Sequence, residues 1–225
     1  MPCPYPSKHK SRFASKASHH VKPQSHHILK IGITGGIGTG KTSVCRIFES
    51  LGTPVLYADD IAKKISNYDP NVRRRITKLL GPGAYGQDGS YNREFVASTI
   101  FSDKKLQQQL NAIIHPEVEK ELQRRFQDFE HKNVKLVFVE AALIYEAGLD
   151  KQLDAVIVVD AGGGERIRRI VARDGAAEKD IRKRMSSQWP VGKKLAKAEY
   201  IIHNNGTMQD LEHKVRFLHA VFENL

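Results

Sequence analysis

From Ile28 onward, short apolar runs rich in β-branched residues alternate with stretches whose apolar residues recur at helical spacing. LKIGI (29–33), PVLYA (54–58), LVFVE (136–140), AVIVVD (155–160) and YIIH (200–203) predict strands, and the first is followed by a predicted helix over about 41–50. Strands separated by helices predict an α/β fold of three layers, a parallel sheet covered on both faces. Between the second and third strands lie about 75 residues without a strand signal, too many for a crossover. They predict a helical insertion over about 66–132. Within it, Ser102 reads as the N-cap of a helix over 103–114, and Pro116 as the first turn of a separate helix over 116–129. A second excursion, over about 162–195, contains ERIRRIVARDGAAEKDIRKRMSSQ and is dense in arginine.

Residues 1–27 show no period, few apolar residues and much Ser, His, Lys and Pro, and read as a disordered basic tail preceding one domain over 28–225. The tail lacks acids, as transit peptides do, but carries a single arginine, so the expected compartment is the cytoplasm. No apolar run approaches the eighteen or so residues of a membrane span, which predicts a soluble protein with no membrane partner. Cys3 and Cys45 have no metal-ligand spacing and form no disulfide framework.

The formal net charge of +11 invites a nucleic-acid reading. Five of those charges, Lys8, Lys10, Arg12, Lys16 and Lys22, sit in the acid-free tail, and the remainder suits a phosphorylated small substrate equally well.

Residues 35–42, GGIGTGKT, supply the sharpest signal: Gly35, Gly40, Lys41 and Thr42 complete GxxxxGK[ST] between a predicted strand and a predicted helix. In such a loop Gly35, Gly36, Ile37, Gly38, Thr39 and Gly40 turn backbone N–H groups around phosphate oxygens. The helix N-terminus adds its positive end, Lys41 bridges the outer phosphates, and Thr42 offers its hydroxyl to Mg²⁺. ATP and Mg²⁺ are the expected cofactors of this P-loop fold. No NKxD guanine-reading segment is present, which argues against a switch GTPase. A short P-loop chain with two helical excursions suits a small-molecule kinase, the insertion holding the acceptor and the lid excluding water.

Such a kinase needs a carboxylate near the acceptor hydroxyl, and ligands bind beyond the carboxyl ends of parallel strands. Asp59, Asp60, Glu140 and Asp160 all follow predicted strands. Asp59 and Asp60 point in different directions, and Asp59 also fits the N-cap of a helix beginning DIAKKI. Glu140 closes its strand as a Walker B acid does. Asp160, before GGG, reads as a loop residue.

Several segments in register resemble the dephospho-coenzyme A kinase family: TGGIGTGKTSV, LGTPVLYADDIAKK, DGSYNREFVASTIF, LNAIIHPEV, EAALIYEAGLD, RIVARDGAAEKDIRKRMSSQ and IIHNNGT. The similarity runs from about Leu29 to the C-terminus. It implies ATP-dependent phosphorylation of the ribose 3′-hydroxyl of dephospho-coenzyme A, the last step of coenzyme A synthesis, by a monomer or weak homo-oligomer. It also implies Asp59 as the catalytic carboxylate and Arg93 and His115 on the acceptor side. Arg169 and Arg173 become lid arginines over the phosphates, Arg173 acting with Lys41 in catalysis, while Asn204 and Asn205 lie beside adenine. Arg184 and Gln188 fit the lid motif or its helix structure equally. One departure stands out: Tyr57 occupies the first acidic position of the family's DAD. Rival readings are a nucleoside or nucleotide kinase of similar build and, from the basic tail, a nucleotide-dependent nucleic-acid-binding protein.

Overall fold

The computed structural model describes residues 27–225 except Ser102 and Ser187, so the predicted tail, apart from His27, lies outside the described residues. In chain order the elements are β1 (Leu29–Gly35), α1 (Lys41–Ser50), β2 (Val55–Tyr57), α2 (Ala58–Tyr68), α3 (Pro70–Leu80), α4 (Arg93–Ile100) and α5 (Lys104–His131). Then come β3 (Leu136–Glu140), α6 (Ile144–Ala147), β4 (Ala155–Asp160), α7 (Gly163–Asp174), α8 (Glu178–Ser186), α9 (Val191–Leu195), β5 (Tyr200–His203) and α10 (Met208–Glu223).

The five predicted strands form one parallel sheet in the order β2-β3-β1-β4-β5. Both faces are dry. On one, α1 and α10 bring Val44, Phe48, Leu211, Val215 and Phe222 against Ile31, Ile33, Phe138 and Ile157, with Phe48 stacked on Phe138 at 3.8 Å between ring centres. On the other, α2, α5 and α6 bury Ile61, Leu122, Phe126 and Ile144 against Val137, Val139, Val156 and Val158. Every residue of β3 is buried, which is why its sequence is a continuous apolar run rather than an alternating one. A third core, built from Val72, Ile76, Leu80, Val96, Leu110 and Ile113, gives the insertion its own packing. Because β1 lies between β3 and β4, the chain crosses to opposite sides from this central strand. A crevice opens beyond the strands' carboxyl ends there.

Two expectations about the insertion change. Residues 104–131 form one 28-residue helix, with Pro116 in its interior instead of opening a second helix. Proline removes the N–H that would bond the carbonyl of Ala112, and Arg75 of α3 donates to that carbonyl instead, at 3.5 Å. The cap expected at Ser102 falls on a residue outside those described; Asp103 accepts the Leu106 N–H at 2.9 Å and is the N-cap.

Candidate active site

The P-loop follows β1 directly and is tied shut by its own side chains. Thr39 donates its buried hydroxyl to the Gly36 carbonyl at 2.9 Å, and Lys41 donates to the Gly35 carbonyl at 3.2 Å. Gly40 takes a φ of +95° as the N-cap of α1, and a Cβ there would meet the Asn204 amide nitrogen at 2.3 Å. Both the left-handed backbone and the close approach therefore demand glycine. Thr42 stands exposed in the first turn of α1.

The loop is braced from behind. Asn204, just past β5, donates its side-chain amide to the Thr39 carbonyl at 2.9 Å. Arg169 of α7 donates to the Asn204 carbonyl at 3.0 Å and to the Thr39 carbonyl at 3.4 Å while pairing with Glu165. Asn205 accepts the Gly162 N–H at 2.8 Å, joining the turn after β5 to the start of α7. Arg173 is not part of this gathering: it is exposed and paired with Asp174.

An arginine that sequence reasoning passed over reaches the loop. Arg166, one turn before Arg169, is buried, donates its Nε to the Ile37 carbonyl at 2.8 Å, and lies against Gly36. Its spacing of three from Arg169 and four from buried Ile170 was the available signal, since the three share one helix face. Gln188, at the lid's far end, accepts the Ile37 N–H at 3.1 Å.

Across the crevice, the expected N-cap role of Asp59 is taken by the backbone of Tyr57, because the helix starts one residue earlier, at Ala58. Asp59 is thereby left free in the first turn of α2, while Asp60 turns to solvent and pairs with Lys63 at 2.7 Å. Asp59 lines two cavities at once. One, of about 650 Å³, is walled by Arg93, Tyr91, Asn67, Gln107, Leu143 and Gln188. The other, of about 90 Å³, includes His115, Glu119 and Leu143. His115 is held below the usual histidine range by burial, against the pull of Glu119.

Glu140 ends β3 with its carboxylate 3.9 Å from the Lys41 ammonium. The concave walls remove water from all three charged groups. Burial raises the carboxyls of Asp59 and Glu140 and lowers the Lys41 ammonium, while attraction between Lys41 and the two acids opposes each shift. A cation at a P-loop, two acids and an adjoining cavity are an arrangement that could bring a phosphoryl donor and an acceptor together.

The family model for dephospho-CoA kinase matches residues 29–210. The chain belongs to the dephospho-CoA kinase family. Dephospho-CoA kinases catalyse the last step of coenzyme A biosynthesis. The dephospho-CoA kinase of Chlorobaculum tepidum is 40% identical over 191 residues, covering 83% of this chain and 91% of the relative. That of Corynebacterium glutamicum is 38% identical over 185 residues, covering 82% and 95%. A crystal structure from Thermus thermophilus superposes with a TM-score of 0.76 at 33% identity, covering 88% of this chain and 98% of that one.

Proposed function

We propose that the crevice transfers the γ-phosphoryl group of ATP to the ribose 3′-hydroxyl of dephospho-CoA, with Asp59 as the base and the P-loop as the phosphate cradle. The observation that carries this reading is the position of Asp59, which opens onto both acceptor-side cavities and is electrostatically coupled to Lys41. Gly36, Gly38 and Gly40 present N–H groups to the phosphates and Lys41 balances their charge, while Arg169, paired with Glu165, holds the loop through the Thr39 carbonyl. Arg93 and His115 border the space left for the acceptor. Asn204 and Asn205 place the adenine beside the turn after β5.

Among the described residues no cluster of three His, Cys, Asp or Glu side chains gathers to hold a metal by itself. The hard oxygen donors present, the Thr42 hydroxyl and the Glu140 carboxylate, would suit Mg²⁺, which keeps few protein ligands and otherwise holds waters and phosphate oxygens. When bound, Mg²⁺ neutralises charge between the outer phosphates. Asp59 takes up the proton of the acceptor hydroxyl as its oxygen bonds to the γ-phosphorus. Lys41 stays with the departing diphosphate. Excluding water falls to the lid of α7 and α8.

Initial rates with ATP and dephospho-CoA, for the full chain and for Asp59→Asn, test the proposal. A base contributes about 10² to 10⁴, so the variant should lose at least about a hundredfold in kcat. A loss under tenfold removes Asp59 from this role, and faster turnover of a nucleoside monophosphate than of dephospho-CoA overturns the acceptor.

A further inference from the structure

Among the described residues Lys194 alone of the lysines is buried, at 0% exposure. Removing an ammonium from water is costly unless it is paired, and Lys194 is paired twice. Its Nζ lies 2.9 Å from Glu146 Oε1 and donates to the Ala142 carbonyl at 2.8 Å. The same Glu146 oxygen accepts the Trp189 N–H at 3.0 Å, and the Trp189 ring stacks on Tyr145 at 6.3 Å with planes 10° apart. The Ala142 carbonyl also accepts the hydroxyl of Thr34, the last residue before the P-loop, at 3.3 Å.

Around this one ion pair three parts of the crevice are joined: the end of β1, the loop after β3, and the root of the lid. The residue beside Trp189 is Gln188, whose side chain accepts the Ile37 N–H of the P-loop and lines the acceptor cavity. Ala142 and Leu143, on the other side of the pair, line that cavity too. Stability is a poor explanation for the arrangement. A well-packed apolar pair often matches or exceeds a buried ion pair, and here Glu146 Oε2 and the Tyr145 hydroxyl are left buried without hydrogen-bond partners among the described residues. What the charges supply and an apolar pair does not is a fixed direction for each hydrogen bond.

We propose that the buried Lys194–Glu146 pair is a positioning device for phosphoryl transfer. It fixes the lid's root to the loop after β3, and through Trp189 sets Gln188 between the P-loop and the acceptor. The proposal rests on the phosphotransfer reading given above. Neither residue touches substrate; both act through Gln188 and the Ala142–Leu143 backbone. When the pair is lost, the acceptor is held less accurately and water enters more often, so ATP is hydrolysed without product formation.

The test replaces both charges together, Glu146→Gln with Lys194→Met, so that no lone charge stays buried. Acceptor KM, ATP KM, kcat, melting temperature, and ADP released per product formed are measured on the full chain. A shift in geometry far from the chemistry costs up to about 10²-fold, so kcat/KM for dephospho-CoA should fall about 10- to 100-fold. ADP per product should rise above one, the KM for ATP should change less than threefold, and Lys194→Arg should restore part of the coupling. A double variant that melts normally, with wild-type acceptor KM and one ADP per product, overturns the proposal. If the double variant does not fold, Gln188→Ala decides: the same loss of coupling supports the device, and unchanged coupling overturns it. A wild-type chain that fails to turn over dephospho-CoA overturns the functional reading instead, a result distinct from either.

Discussion

At the scale of single residues, the adjacent acids Asp59 and Asp60 separate by backbone geometry. Both sit in the first turn of α2, where side chains fan out around the axis; Asp60 meets Lys63 in solvent and Asp59 faces the crevice. Tyr57, in place of an acid, stands in register with Glu140 on the neighbouring strand. The shifted groups predict a narrowed bell of kcat/KM against pH, a ratio that reports the free enzyme. Asp59 must be ionised to act, and burial raises it above 3.8, so activity is present above that raised value and lost as pH falls through it. Lys41 must be protonated, and burial lowers it below 10.5, so activity is lost as pH rises through that lowered value. Rates from about pH 2.5 to 11 should place the acid limb above, and the alkaline limb below, those of ordinary aspartate and lysine. An acid limb at or below 3.8 contradicts the role of Asp59.

At the scale of elements, β3 and β4 were legible because both faces of the sheet are dry there and LVFV and AVIVV are therefore unbroken apolar runs. The P-loop was legible because its chemistry is local. What escaped depends on partners distant in the chain. Pro116 reads locally as a helix start, whereas α5 continues through it and Arg75 from α3 meets the orphaned Ala112 carbonyl at 3.5 Å. Lys194 lies beside Lys193 in VGKKL, and no periodicity tells the buried lysine from the one resting on the Trp189 ring. The α5 account predicts coupling between two positions. Arg75→Ala leaves a carbonyl without its donor and should cost about 1 kcal/mol. In a Pro116→Ala background the helix supplies its own N–H, and the same change should cost less than half as much. Urea denaturation of the four proteins gives the interaction free energy. Strict additivity excludes the substitution of Arg75 for the missing N–H.

At the scale of the whole molecule, the positive charge has two addresses with different consequences. In the folded body, cations gather around the crevice: Lys41 and Arg166 at the loop, Arg169 behind it, and Arg93 at the larger cavity lined by Asp59. The five cations of residues 1–26 precede the family match, which begins at residue 29. No helix among the described residues is long and apolar enough to cross a membrane. If the body's charge serves a small phosphorylated substrate, removing residues 1–26 should leave kcat and both KM values within about twofold. Polynucleotide binding by the full chain, where present, should fall steeply with salt and vanish on truncation, since counterion release scales with the phosphates neutralised. Titration of the two chains with a labelled single strand at about 50 and 200 mM salt separates the cases. Tight binding retained by the truncated chain would mean that the crevice cations also serve a polymer. A tenfold loss of phosphotransfer on truncation would mean that the tail contributes to the site.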